Sequence, residues 1–228
     1  MSSQTPDAGL LQFLMQYLTP ERKALLERNA AARTRHFTVV LEDIFHSHNA
    51  GAVLRNCDCF GIQDVHIIEN RYTWSKHPQI ELGSGEWLNI YRHKELEQNT
   101  EACLSQLRSK GYRIVATTPH TECTIDDIDI AQPIAFVFGA EKRGISQEMK
   151  QMADITCKIP MYGFTESFNV SVAVALTLHA MRRRMKTEVP NWGLSEDEKT
   201  ELFIKWTANS IRHHDKYVRA YYTQYKGQ

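Results

Sequence analysis

Between residues 37 and 185 the chain alternates short apolar runs with longer helical patterns. Phe37 to Leu41, Asp64 to Glu69, Arg113 to Thr117, Ile134 to Phe138 and Ile155 to Ile159 read as strands. Most lack an in–out polarity of period two, as strands buried on both faces do. Between them, Asn49 to Phe60, Lys94 to Lys110, a short stretch from Ser146, and Ser167 to Met185 carry helical spacing. Gly61 and Gly111 stand where helix C-caps belong. The alternation predicts an α/β fold, a mostly parallel sheet covered by helices.

The flanks differ. Residues 7–34 read as helical, and Thr19-Pro20-Glu21 is a start signal: a hydroxyl cap, proline at the first helical position, an acid at the positive end. Pro190 to Gly193 breaks the chain, and Ser195 to Glu198 is a capping box that opens a C-terminal helix. The tail after it mixes aromatic and basic residues: Trp206, Arg212, Lys216, Tyr217, Arg219, Tyr221, Tyr222, Tyr225 and Lys226. The expected organisation is an N-terminal helical extension (1–36), an α/β domain (37–186) and a C-terminal basic–aromatic helical extension (187–228).

Net charge is zero over 228 residues, so composition does not announce a nucleic-acid binder. Its distribution is uneven. Residues 49–175 carry 12 Lys/Arg against 16 Asp/Glu, and residues 176–228 carry 10 against 6. A tail facing a polyanion and a solvated basic helix end both fit, and charge alone favours the second. The five cysteines, Cys57, Cys59, Cys103, Cys123 and Cys157, form no CxxC pair. Their spacing suggests neither a disulfide framework nor a zinc site, so buried reduced thiols and no metal are expected. No signal peptide and no membrane-length apolar run are visible, which suggests a cytoplasmic protein.

Three strand-end segments hold residues that packing alone does not request. The first runs from His48 to Asp58 and includes Asn49 and Arg55. Asn49 can cap a helix. Arg55 lies among Val53, Leu54 and Cys57, at the edge of an apolar face, where its planar fork suits a phosphate or a carboxylate. A structural salt bridge is the simpler reading. The second is Phe138-Gly139-Ala140-Glu141-Lys142-Arg143-Gly144-Ile145. Its glycines would let a ligand approach the backbone, or would merely make a left-handed turn. It is neither a dinucleotide fingerprint nor a phosphate loop. The third runs from Ile159 to Ala173. Ser167 or Asn169 can cap the long helix there, or that helix's free amides can face an anion.

Taken together in this order, the three segments resemble the three signature motifs of the SpoU/TrmH family of RNA 2'-O-methyltransferases, in the SPOUT superfamily. Asn49 to Arg55 matches the first. Gly139-Ala-Glu141-Lys-Arg-Gly144 matches the G-x-E-x-x-G second. Ile159-Pro-Met161 through Ser167-Phe-Asn169-Val-Ser171 matches the third. The likeness spans residues 20–186 and includes Gly83-Ser84 and Trp87. It is strongest toward the branch that methylates guanosine 18 of tRNA. The chain departs from the family pattern at Ser47, where proline is common, and at Phe168, where leucine is common. Neither change removes a polar group.

The resemblance implies a SPOUT methyltransferase domain with a C-terminal trefoil knot, a homodimer, and S-adenosyl-L-methionine as cofactor. It implies cofactor contacts from Thr117, Thr118, Phe138, Gly139, Gly144, Ile159, Met161, Ser167 and Phe168. It implies a catalytic group of Arg55, Asn49, Glu141, Ser167 and Asn169, with Arg55 at its centre. A guanidinium normally stays protonated, so Arg55 is expected either to act as the base or to anchor phosphate and ribose. Arg33, Arg35, Arg212, Lys216 and Arg219 are the candidate tRNA contacts. Methylation of another tRNA or rRNA ribose is the nearest alternative. A catalytically silent RNA-binding protein on the same fold is the alternative of another class.

Overall fold

The computed structural model describes residues 7–74, 83–96, 98–141 and 143–225. Lys142 and Lys226 lie outside the described residues. The chain divides into two compact units, Thr34–Trp192 and a second made of residues up to Arg33 together with those from Gly193 onward.

The larger unit holds six strands: β1 (Phe37–Glu42), β2 (Asp64–Ile68), β3 (Asn89–His93), β4 (Arg113–Thr117), β5 (Ile134–Phe138) and β6 (Ile155–Cys157). They form one sheet in the order β3-β2-β1-β5-β4-β6, and every pairing is parallel. The helices are α3 (Ser47–Cys59), α4 (Asn99–Ser109), α5 (Gln147–Met152) and α6 (Val170–Glu188). Alternate residues of a strand face opposite sides. Phe37, Val39 and Leu41 pack with Val53 and Leu54 of α3 and with Val174, Leu178 and Met181 of α6. Val40, Ala135 and Val137 pack on the other side with Cys103, Leu104 and Leu107 of α4 and Met149 of α5. Both faces are therefore dry, and β1, β2 and β5 are buried at every position. Burying each Leu or Val of these layers contributes about 1.5–3 kcal/mol.

The expected alternation is the one the structure has, with shifted ends. Strand β6 stops at Cys157, short of Ile159. Helix α4 begins at Asn99, after Lys94. Helix α3 begins at Ser47. Asn49 therefore lies inside the first turn and does not cap it; the cap position is His46, without a side-chain bond. Helix α6 begins at Val170, and its cap is Asn169, whose side chain accepts from the Ser171 amide. Ser167 lies outside the helix. Strand β3 was not expected. It is an edge strand reading Asn-Ile-Tyr-Arg-His, partly exposed throughout, and its polar composition hides it.

The smaller unit contains α1 (Ala8–Met15), α2 (Pro20–Ala31), α7 (Glu196–Ser210) and α8 (His214–Tyr225). Thr19 caps α2 with proline at its start, and the Ser195/Glu198 capping box opens α7, both as the sequence indicates. The C-terminal segment is two helices, broken where His213 takes a positive φ. Leu10, Leu14 and Tyr221 form the apolar centre. Trp206 is buried, with the Arg33 guanidinium 5.1 Å over its ring. No helix among the described residues is long and apolar enough to cross a membrane.

Candidate functional site

A pocket of about 360 Å³ opens at the carboxyl ends of β4, β5 and β6, where Thr117, Phe138 and Cys157 end their strands. Open α/β sheets bind ligands at such ends, and this volume suits a small molecule. All nine positions expected to hold a cofactor line it: Thr117, Thr118, Phe138, Gly139, Gly144, Ile159, Met161, Ser167 and Phe168. The sequence reading missed His120, Arg143, Lys150, Cys157 and Lys158, which also line it. His120, Cys157 and Lys158 carry no motif and reach the pocket from the ends of β4 and β6, Lys150 reaches it from α5, and Arg143 lies within the second segment, where it was not picked out.

The second segment folds back on itself. The Gly144 amide donates to the Ala140 carbonyl at 2.8 Å, and Gly144 takes φ +65°. A Cβ on Gly139 would come within 2.1 Å of the Gly144 carbonyl carbon and 2.2 Å of the Ile145 nitrogen. Only glycine allows that approach. Just beyond, the Glu42 carboxylate at the end of β1 accepts from the Ser146 amide at 2.8 Å and from its hydroxyl at 2.7 Å. Thr100 also donates to it, at 3.3 Å. Burial pushes the Glu42 carboxyl above its usual range, and the Ser146 bonds oppose that rise. Glu42 thus ties the central strand to the end of the pocket loop.

Glu141 links the pocket wall to the first segment. Its Oε1 accepts from the Asn49 side-chain amide at 2.6 Å. The Asn49 carbonyl oxygen accepts from the Asn169 side-chain amide at 3.1 Å. The Asn169 oxygen in turn accepts from the Ser171 amide and hydroxyl at 2.9 and 2.7 Å. One polar chain therefore joins all three segments. It leaves the buried Glu141 Oε2 without a partner among the described residues, an acceptor held in the pocket wall.

The structure places Arg55 differently from its expected neighbours. It lies six residues after Asn49, about 120° around the helix from the Asn49 row. It is exposed, and among the described residues it has no hydrogen-bond or ion-pair partner. The position on the Asn49 row is Asn56, whose side chain donates to the Ser171 carbonyl at 2.8 Å. Asn56 was not singled out from sequence, although its i+7 spacing from Asn49 was available to do so.

The five basic candidates fall into three groups. Arg33 is 4% exposed and packs on Trp206, so a surface role is not open to it in this arrangement. Arg35 pairs with Asp64 at 3.1 Å. Arg212, Lys216 and Arg219 are exposed. All five cysteines are free thiols; Cys57, Cys103 and Cys157 are buried, and Cys59, against expectation, is exposed.

A parallel α/β sheet with a built ligand pocket at its strand ends defines the class. Residues 36–179, more than half of the chain, match the SpoU rRNA Methylase family, and the chain belongs to it. A tRNA (guanosine(18)-2'-O)-methyltransferase of Borreliella burgdorferi is 37% identical over 202 residues, which is 88% of this chain and 91% of the relative. An enzyme of the same name from Thermus thermophilus is 33% identical over 75% of this chain and 88% of its own. Among solved structures, the A. aeolicus TrmH/SpoU tRNA modifying enzyme aligns with a TM-score of 0.73 at 26% identity. That alignment covers 84% of this chain and 98% of the other.

Proposed function

We propose that this protein transfers a methyl group from S-adenosylmethionine to the ribose 2'-hydroxyl of guanosine 18 in tRNA. Family membership and the named activity of its relatives support the reaction. The observation that carries the reading is the polar chain from Glu141 through Asn49 to Asn169, which begins on the pocket wall and unites the three segments.

The pocket residues fit the cofactor. Gly139 opens a close backbone approach that a side chain would close, and Glu141 Oε2 is a buried acceptor in want of a donor. Phe138, Ile159, Met161 and Phe168 supply apolar contact for an adenine. The cofactor brings an electrophilic methyl group on a sulfonium. Glu141 fixes Asn49, and Asn49 and Asn169 orient the ribose. The Arg55 guanidinium, free of internal partners, anchors the RNA phosphate and stabilises negative charge as it grows on the 2'-oxygen. Ser167 shapes the pocket mouth. In this reading the three loops at 117–118, 138–144 and 159–168 form a trefoil knot.

A homodimer belongs to the same reading. Val172 and Leu176 are exposed one turn apart near the start of α6, and Phe168 is exposed just before that helix, an apolar patch that a second copy would cover. Arg212, Lys216 and Arg219 are the tRNA contacts retained, and the enzyme works in the cytoplasm with its substrate.

The test is methyl transfer from labelled cofactor to an unmodified tRNA transcript, followed by mapping of the methylated ribose. Incorporation at guanosine 18 that disappears when that base is substituted is the expected result. Incorporation only elsewhere, or none, overturns the assignment.

A further inference from the structure

A second cluster of ligating side chains lies on the opposite side of the sheet from α3 and α6. Parallel pairing sets His66 of β2 opposite Tyr91 and Ile68 opposite His93 of β3. Residues two apart share a face, so His66, Ile68, Tyr91 and His93 all face α4. Cys103 of α4 belongs to the same buried cluster as Ile68. His66 Nδ1 lies 3.0 Å from His93 Nε2, and the two rings are stacked with planes 18° apart. One ring nitrogen of each histidine and the Cys103 sulfur all lie within 4.8 Å of one another. His66 and Cys103 are buried, and His93 is partly exposed. None of the three lines the ligand pocket.

We propose that His66, His93 and Cys103 bind one zinc-class divalent ion, with water from the exposed His93 side completing a four-coordinate site. Two imidazoles on one tetrahedral zinc, each at about 2.0–2.1 Å, stand about 3.3 Å apart. The observed separation of 3.0 Å is close to that. The sulfur has to close by roughly 1.3 Å at most to meet the separation of about 3.5 Å from such nitrogens that tetrahedral zinc sets. Two imidazoles and a thiolate suit zinc or cobalt and do not suit magnesium or calcium. Burial keeps both histidines neutral, which is their ligating form, and holds the Cys103 thiol protonated, up to about 12. Binding forms the metal–sulfur bond and releases the thiol proton to solvent.

Two charged groups act on the cluster. Glu42 of β1 faces Cys103 and favours a cation. Lys110, just after α4, opposes one; its ammonium sits 5.3 Å over the Tyr91 ring, which itself stacks on His66. The thiolate and the Glu42 carboxylate together outweigh that single positive charge. The ligands come from two strands and a helix, at positions 66, 93 and 103, so no short-spacing pattern betrays them.

The test uses the full-length protein, stripped with chelator and titrated with Co²⁺. Visible ligand-field bands with a near-ultraviolet thiolate-to-cobalt transition, saturating at one ion per chain and erased by Zn²⁺, are expected. Cys103→Ser abolishes the charge-transfer band. His93→Gln, at a partly exposed position where folding is least at risk, weakens binding at least tenfold. Cys59→Ser leaves both unchanged. Absence of the thiolate band in the wild-type protein overturns the proposal. Its persistence in Cys103→Ser with loss in Cys59→Ser also overturns it, by assigning the metal to the surface thiol. Far-ultraviolet dichroism of each stripped variant separates lost binding from lost folding.

Discussion

Asn49 and Glu141 are 92 residues apart in the chain, and the amide of one lies 2.6 Å from the carboxylate of the other. The same Asn49 accepts from Asn169, a further 28 residues on. Asn49→Ala removes a donor and an acceptor from a partly buried chain of hydrogen bonds. About 1–3 kcal/mol of positioning is at stake, so single-turnover methyl transfer is expected to fall about 10- to 100-fold. Equilibrium binding of the cofactor should change far less. An unchanged transfer rate would detach this network from the reaction.

Gly139→Ala forces a Cβ into backbone atoms of Gly144 and Ile145, which cannot yield as a flexible side chain would. The pocket loop must move, at a cost of about 1–3 kcal/mol. Isothermal titration should show cofactor affinity reduced at least tenfold. Retained affinity would mean that the loop shape seen here is not the binding shape.

Glu42→Gln keeps one acceptor oxygen for Ser146 and loses the other. Cofactor affinity is expected to weaken by about three- to tenfold, on the scale of one hydrogen bond. Glu42→Ala should weaken it further and lower the melting temperature. Equal affinity in all three proteins, measured well below melting, would reduce Glu42 to a packing role.

The exposed Arg212, Lys216 and Arg219 make a prediction about salt. Each phosphate contact contributes about 0.9 to the slope of log affinity against log salt on duplex nucleic acid. The triple alanine variant should bind tRNA more weakly and flatten that slope by up to about 3. Loss of affinity without a change of slope would point to an altered structure in place of lost phosphate contacts.

His36 supplies a pH test. Its ring donates Nε2–H to the Ile130 carbonyl at 2.7 Å in the neutral form, and burial lowers its pKa below 6.5. A lowered histidine contributes stability that is present above the unfolded value and is lost as pH falls through it toward the folded one. Urea unfolding should therefore show decreasing stability below about pH 6.5. His36→Gln, which can donate but does not titrate, should remove part of that slope.

The sheet was legible because strands buried on both faces advertise themselves. Phe37 to Leu41 and Ile134 to Phe138 have no polar side to confuse the reading. Strand β3 escaped because an edge strand can afford Asn89, Arg92 and His93. The pocket lining was legible through the family's motifs, since those residues sit on loops fixed by strand ends. Partnerships were not. The resemblance grouped Arg55 with Asn49; on the helix Arg55 lies about 120° around from the Asn49 row, and Asn56 stands on that row and bonds to Ser171. Asn49 looked like a cap because the sequence gives no reason to start α3 at Ser47. Arg33 looked like a surface contact because nothing nearby in sequence announces Trp206.

The adjacency of β1 and β5 has a metric consequence. Leu41 stands opposite Phe138, and the segments bearing Asn49 and Glu141 leave from those neighbouring strands. A slip of one residue along that ladder would displace one segment by about 3.3 Å relative to the other and turn its side chains over. A 2.6 Å hydrogen bond between their side chains cannot survive such a step. The buried parallel ladder is thus the ruler that calibrates the distance between the two halves of the site, and mutations deep in the sheet can detune it without touching a single polar residue.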